Sequence, residues 1–538
     1  MAAIMFGQSS DGARQSGLAR RWAIRIAIAC LVLEIVYLIV GNLCLRVGVL
    51  EKLINFNPES DSVSWESGFT AFPGTGSFKN FVYRGQTRSG QMYIRLAEVD
   101  MRISLIKLLS KTAHVKGLDA RDMDYRYRER IDYPCWTDDS GEPFPNPPTD
   151  VEHYPEIPGY QNPPDPKPEE IYSKEKAPKP WTVRISGAHI EGSIRAASNE
   201  NRINGQGRMD GGVTVVLGHT NSIDHGKLRM APTEVVLGPR VVTTDLDLSG
   251  EIRTDPFPAE CGERSQVIDG ISGSLTLAGI DSDGFSVDAN VFTPLLPGQG
   301  MISIESGTSE LGGRLEFKQG GGAAGELDLV ADDVILKRQE TPLQGDLTVH
   351  ASLSEGNLTT GRFDVSGTTF HLSDIAKMES STKKQEKLEP WFGTLEFKEG
   401  TVTFGEPMSM NSHVRLTMHD TRPVLVLLKK FTDDLKWLSL TRIVKGIDGT
   451  MDLRFGKGFV AVDDLNLTGE GVEILGWVHT RNQKKTGRVF ARHGRRAAGV
   501  AFDEGKSKLI LTRPRKWFEK QRRPPSSGGQ EAAAESGG

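Results

Sequence analysis

A few residue clusters in this chain have types and spacing from which chemistry can be built. Gly205-Gln-Gly207-Arg-Met-Asp-Gly211 nearly matches a dinucleotide fingerprint, whose glycines let the backbone close on a pyrophosphate at a helix N-terminus. Here the run that follows, Val213-Thr-Val-Val-Leu217, reads as a strand, so the glycines are expected to make a turn. Gly505-Lys506-Ser507 resembles the end of a phosphate loop, but Val500 stands where the first glycine belongs, so it reads as a strand start. His219 and His225 flank Asn221 and Asp224, yet they straddle an expected turn and lack a third zinc ligand nearby. Asp281-Ser-Asp283-Gly284 opens like a calcium loop without the bidentate Glu in register, and also reads as a turn. No Gly-x-Ser-x-Gly occurs, and no Ser/His/Asp or Cys/His set emerges. The acidic pairs Asp122/Asp124 and Asp245/Asp247 read as the outward face of alternating strands rather than a glycosidase pair. The expectation is therefore no catalytic residue, no metal and no cofactor.

The elements must then be built for something other than covalent chemistry. The chain has 538 residues, with 65 Lys+Arg against 70 Asp+Glu and a net charge of −5. That balance excludes a polycation built for nucleic acid and an acidic tail protein. With 37% hydrophobic residues, the length supports about two to four core-bearing units. Its 59 glycines follow no collagen period and favour a strand-rich chain with many turns.

Ile26 to Leu45 is an apolar run whose single charge is Glu34. Its length matches a membrane-spanning helix of about 30 Å. Ile26, Leu31, Leu33, Ile35, Val36, Leu38, Ile39 and Leu43 would meet lipid. Glu34, at a cost of about 3 kcal/mol, reads as a protonated carboxyl in a single uncleaved anchor. Arg14, Arg20, Arg21 and Arg25 precede the run, and only Arg46 and Lys52 follow closely, so residues 1–25 are expected in the cytoplasm and the bulk outside it. Cys30 and Cys44 lie in the run. Cys135 and Cys261 lie beyond it and have the option of one disulfide in an oxidising compartment; whether they pair is left open.

Past the anchor, apolar and polar residues alternate with period two, as in Leu347, Val349, Ala351 and Leu353, or Val414, Leu416 and Met418. Val460 and Val462, then Leu465 and Leu467, continue the pattern on either side of Asp463-Asp464. Turns are expected at Ser354-Glu-Gly-Asn357 and Gly456-Lys-Gly458. The predicted organisation is a first β module over 50–133, a proline-rich, mobile insertion or linker over 134–180, and β repeats over 181–422. A helical segment over 423–446 and a closing β module over 447–512 follow. The tail, 513–538, is basic with Trp517 and Phe518, then disordered; its basic part reads as either a solvated tail or a membrane- or partner-binding stretch. The fold class is mainly β: an extended twisted antiparallel sheet or groove with few short helices, preceded by one transmembrane helix. Many strands then expose an apolar face with little helix to cover it. Those faces must pack on each other or hold something apolar that is not protein.

Met92 to Arg130 reads as strand, short Leu-rich helical turn, strand, two-residue turn and strand. This resembles the opening module of AsmA-like proteins, and Trp181 to Gly212 and Val472 to Trp477 resemble that family's repeated strand and glycine-turn pattern. The resemblance implies a repeating β-groove anchored in the Gram-negative inner membrane, facing the periplasm and carrying phospholipid or another acyl-chain lipid. An envelope protein at the distal end is a further conceivable partner. Leu347, Val349, Leu416, Leu453 and Val462 are the candidate groove residues. Two alternatives stand beside this expectation: a membrane-tethered scaffold for outer-membrane protein assembly, and a β-helix enzyme acting on envelope polysaccharide.

Overall fold

A computed structural model describes residues 11–55, 61–87, 90–130, 151–162, 180–258, 264–280, 282–288, 303–338, 341–377, 391–404, 408–421, 444–456, 458–481, 484–504 and 506–521. It is mainly β, with 69% strand and 14% helix. The chain forms two compact units, residues 1–230 with 237–239 and 253–263, and residues 231–236 and 240–252 with 264–538. Cys135 and Cys261, whose pairing the sequence leaves open, and almost all of the expected helix over 423–446, lie outside the described residues.

The first unit opens with helix α1 (Asp11–Arg46), which contains one stretch, Trp22–Arg46, long and apolar enough to cross a membrane. Helix α2 (Val49–Ile54) leads to short strands β1 (Asp61–Ser64) and β2 (Ser67–Phe69), both paired with β3 (Thr75–Gln86). Next come β4 (Gly90–Ile103), the one-turn helix α3 (Leu105–Leu108) and β5 (Thr112–Glu129). After the proline-rich segment follow β6 (Thr182–Ser198), β7 (Asn201–Val216) and β8 (Thr220–Leu237), which begins in this unit. The ladder from β3 to β7 is antiparallel except for β5 and β6, which are parallel. A parallel pair needs a crossover of a dozen residues or more, and the proline-rich segment supplies it.

Part of that segment is packed, which corrects the expectation of a mobile insertion. Tyr154 and Ile157 are buried. Arg128, fully buried, donates to Asn162 Oδ1 at 2.9 Å, Gln161 O at 2.6 Å and Gln91 Oε1 at 2.8 Å. Arg126 Nη1 donates to Glu156 O at 2.7 Å. A guanidinium has five donors in a fixed fork, which lets one side chain hold several carbonyl oxygens at once.

Alternation gives the first unit two unlike faces. Phe78, Val99, Ala120, Ile190 and Met209 are direct cross-strand partners in sequence, one from each of β3 to β7. One residue along, Lys79, Glu98, Arg121, Glu191 and Arg208 form the matching row on the opposite face, with alternating sign. Opposite charges directly across a sheet support its register. The pairs are exposed, with Arg121 at 3.6 Å from Glu191 and 4.0 Å from Glu98, and contribute little individually.

The second unit contains β9 (Arg240–Thr243), β10 (Leu246–Thr254), β11 (Phe257–Pro258), helix α4 (Arg264–Gly270), β12 (Ile271–Gly279) and β13 (Phe285–Asp288), although β11 and the end of β10 fall in the first. The long strands β14 (Ser303–Lys318), β15 (Gly322–Arg338) and β16 (Thr341–Asn357) follow. Then come β17 (Arg362–Asp364), β18 (Thr369–Lys377), β19 (Phe392–Thr403) and β20 (Ser409–Asp420). A meander of β21 (Lys445–Gly456), β22 (Phe459–Gly469), β23 (Val472–Arg481), β24 (Lys484–His493), β25 (Arg496–Asp503) and β26 (Lys506–Ile510) ends in helix α5 (Pro514–Gln521).

Several expected turns are strand interior. Gly205 to Gly211 lies within β7, where a Cβ on Gly207 would meet Arg229 O at 2.6 Å; the glycines serve close strand approach and not a turn. Ser354 to Asn357 ends β16, and the turn comes after it, at Leu358 to Thr360. His225 is on β8, while His219 does sit in a turn. The expected two-residue turn before Arg130 is replaced by a continuous β5 with a bulge.

That bulge recurs. Asp122, Asp333, Asp374 and Asp464 all have left-handed backbone, with φ of 52, 52, 52 and 44°, and each sits at a register shift. Asp tolerates this conformation better than most residues because its short polar side chain bonds locally. Asp122 Oδ1, for instance, accepts from Ser193 N at 2.8 Å. The extra residue returns the strand to the same face, so Val462 and Leu465 point alike although they are three apart.

Two outcomes follow from this packing. Arg128→Met leaves buried oxygens unpaired, costs about 1–3 kcal/mol, and exposes residues 151–162 to amide exchange before the rest of the unit. Asp464→Gly leaves the urea midpoint near that of the parent, whereas Asp464→Val lowers stability by about 1–2 kcal/mol, because a β-branched residue is strained at positive φ.

Candidate functional site

Following cross-strand partners through the second unit reveals one apolar row. It runs Phe285, Leu311, Leu329, Val349, Phe370, Leu395, Leu416, Gly449, Leu467, Ile474, Ala491 and Ala498, one residue from each successive long strand of the ladder. Directly paired residues share a face, so the row lies on one side of the sheet. At about 4.8 Å per strand it is on the order of 50 Å long. A second row runs beside it through Leu453, Val462, Val478, Gly487 and Phe502.

The five residues singled out from the sequence all fall on this face. Val349 and Leu416 belong to the first row, Leu453 and Val462 are direct partners in the second, and Leu347 lies two residues before Val349, opposite Leu372. All five are half-buried. Around them are truly buried residues: Val414 is 0% exposed and clusters with Val365, Phe397 and Val402, and Ile447 at 1% clusters with Trp391, Met418 and Leu467. The face is thus a lining of half-buried side chains with fully buried points between them. Phe370, Leu395, Phe397, Met451 and Ile474 complete it and were missed as candidates. The alternation in Thr394-Leu395-Glu396-Phe397 carried the signal for two of them.

The opposite face is polar and cross-linked. His350 and Asp328 meet at 2.6 Å, His413 and Asp452 at 2.7 Å, and Arg415 and Asp448 at 2.9 Å. Asp463 accepts from Arg454 Nη2 at 2.6 Å and pairs with His479 Nε2 at 2.8 Å. Burial pushes the Asp463 carboxyl up, but the hydrogen bonds from Arg454 and His479 outweigh it and hold the group below the usual carboxylate range.

The described part of the basic-aromatic tail, α5, docks through Phe518 on this polar side of the sheet, while Arg513, Arg515, Lys516 and Lys520 stay exposed. Phe518 is buried against Phe490 with ring centroids 6.3 Å apart, and Arg515 lies over the Phe490 ring and 3.2 Å from Glu473. Phe490 points away from its neighbour Ala491, so α5 covers the face opposite the apolar row. Helix α4 sits at the strand ends, where Thr359 Oγ1 donates to Asp269 Oδ1 at 2.7 Å. Among the described residues of this unit, neither helix covers the apolar row.

Chemically, the row offers dispersion and burial, with the buried polar side chains of Ser412 and Asp420 on the same face of β20. The described residues contain no group of three or more His, Cys, Asp or Glu placed to hold a metal ion. The anchor residues Ile26, Leu31, Leu33, Ile35, Val36, Ile39 and Leu43 are exposed on α1, as lipid-facing residues are.

Because Asp463 is depressed in the folded state, the stability it contributes is present above the unfolded carboxylate value and is lost as pH falls toward its folded pKa. Asp463→Asn therefore lowers stability by about 1–3 kcal/mol at neutral pH, and urea midpoints of parent and variant converge as pH falls below the ordinary carboxylate range.

Comparison with protein-family models, with curated proteins and with solved structures returns no match.

Proposed function

We propose that this chain is a single-pass protein of a bacterial inner membrane. Its N-terminus is cytoplasmic, its bulk is periplasmic, and it holds phospholipid or another acyl-chain lipid against the apolar face of its strands. The work is lipid transport between membranes or maintenance of the outer membrane, without covalent chemistry. The observation that carries this reading is the continuous row from Phe285 to Ala498. A row of mostly half-buried apolar side chains, with Phe285 and Leu467 buried, that no described helix of this unit covers leaves apolar surface available to a ligand. Polar groups on the other face keep the sheet soluble. The charge asymmetry around α1 and its apolar stretch support the topology, and the resemblance to AsmA-like proteins supports the lipid class.

The test compares three substitutions in the purified protein by native mass spectrometry and thermal unfolding. Val349→Asp and Leu416→Asp keep a cooperative transition but lose co-purifying phospholipid. Val414→Asp, at a fully buried position, unfolds, since an unpaired buried carboxylate costs about 3–5 kcal/mol. If all three unfold alike and the parent carries no lipid, the face is a closed core and the scaffold reading takes its place.

A further inference from the structure

The end of the first unit next to α1 has a construction that the lipid-binding face does not explain. Thr70 is clamped to the helix from both sides: its N–H donates to Asn42 Oδ1 at 2.9 Å and its carbonyl accepts from Asn42 Nδ2 at 2.9 Å. Tyr37 Oη lies 2.6 Å from Thr70 Oγ1, which itself donates to Thr75 O at 2.7 Å. A Cβ on Gly41 would stand 3.3 Å from the Thr70 methyl, so the turn rests directly on the helix.

These contacts fix a depth. Asn42 and Tyr37 precede Arg46, the first charge past the apolar stretch, by four and nine residues, which is about 6 and 13 Å along a helix. If Arg46 marks the membrane surface, Thr70 sits well inside the half-thickness of about 15 Å of the hydrocarbon. Backbone at that depth must have its polar groups satisfied by protein. At the helix contact they are, since both backbone groups of Thr70 bond to Asn42, and part of the turn beyond it follows. Phe72 N–H donates to Thr75 Oγ1, Phe72 O accepts from Thr75 N at 2.9 Å, and Gly74 O accepts from Ile103 N at 2.6 Å, while Pro73 has no N–H. The side chains left outside are apolar: Phe69 is 56% exposed and Phe72 62%.

Helix α3 extends the same end. A Cβ on Gly74 would lie 3.4 Å from Leu105, and beyond it Ile106 and Leu109 are 81% and 90% exposed. Trp181 and Leu217, also exposed, are joined to this end by the bonds from Thr182 N to Lys111 O and from Leu217 N to Trp181 O. The far end of the same strands is polar, with Thr87, Glu129, Asn199 and Asn201.

We infer that this end of the first unit, the Phe69–Gly74 turn together with α3, is immersed in the acyl chains of the leaflet that α1 exits. The occupant of the exposed apolar patch is the phospholipid of that membrane. The inference rests on α1 spanning the bilayer and not on lipid transport. It accounts for an asparagine inside an apolar helix that clamps Thr70 from both sides, and for the exposure of four large apolar side chains, Phe69, Phe72, Ile106 and Leu109. Lys107, exposed on α3 between Ile106 and Leu108, has the reach to snorkel to the headgroups.

The experiment places an environment-sensitive fluorophore on the full chain in vesicles of phosphatidylethanolamine and phosphatidylglycerol, with the four native cysteines replaced. Labels go at Phe72→Cys, Ile106→Cys, Leu33→Cys in the anchor and Arg202→Cys at the polar end. Quenching by acyl-chain doxyl lipid at 72 and 106, to the level seen at 33 and absent at 202, is the expected result. Quenching at 33 with none at 72 and 106 overturns the inference while leaving the anchor intact; no quenching at 33 overturns both. Unsubstituted protein gives an independent readout with phosphatidylglycerol carrying a diazirine in its acyl chain. Crosslinks on peptides covering 69–74 and 105–109 are expected, and crosslinks confined to α1 overturn the inference.

Discussion

Everything in the second unit depends on cross-strand pairing that keeps one residue of each strand on the same side. The pairing is set by backbone hydrogen bonds, which carry no information about side chains. The apolar row therefore exists only because each strand presents its alternation in phase with its neighbours. A slip of one residue would turn a strand's apolar set to the polar face and would set His350, Arg415 or Asp448 among leucines. The two faces enforce the register jointly, the apolar one by burial and the polar one by opposite charges directly across the ladder.

Long strands tend to drift out of phase, and the Asp bulges answer this. At Asp333 the bulge lets Ala331 and Val334, both about 1% exposed, lie on the same side although an uninterrupted strand would oppose them. The bulge also bends its strand and increases local twist. The same aspartates that read as a break in the pattern are what allow the pattern to continue. Glycines at close strand contacts, such as Gly207 against β8, act in the same service by removing the side chain that would separate neighbouring strands.

The helices of the two units dock in opposite senses. Where α1 meets the turn at Thr70, the polar groups of Thr70, Asn42 and Tyr37 pair with one another and the apolar side chains of Phe69 and Phe72 are left outside. Where α5 meets β24, the reverse holds: Phe518 goes inward against Phe490 and the charges of Arg515 and Glu519 remain at the surface. An amphipathic element is thus oriented by what lies against it, and its composition does not specify which side that is.

From the sequence alone came the mainly β class, the membrane-length apolar helix, the one-turn helix after β4, and the alternation that singled out five apolar strand residues, whose common face the register then gave. Each rests on a local period, two for strands and an unbroken apolar run for the span, that a single chain displays without its partners. Four features came from tertiary structure. Asp122 and Asp464 sit at bulges that the alternation alone did not reveal, because a bulge is defined by the register of the neighbouring strand. Residues 151–162 are packed, because Arg128, more than twenty residues earlier, holds them. The basic tail is folded back on its own sheet, because Phe490 presents a surface that no stretch of the tail reveals. The contact of Thr70 with α1 was hidden for the same reason: Asn42 and Thr70 are 28 residues apart, and a hydrogen bond between them leaves no periodic trace in the sequence.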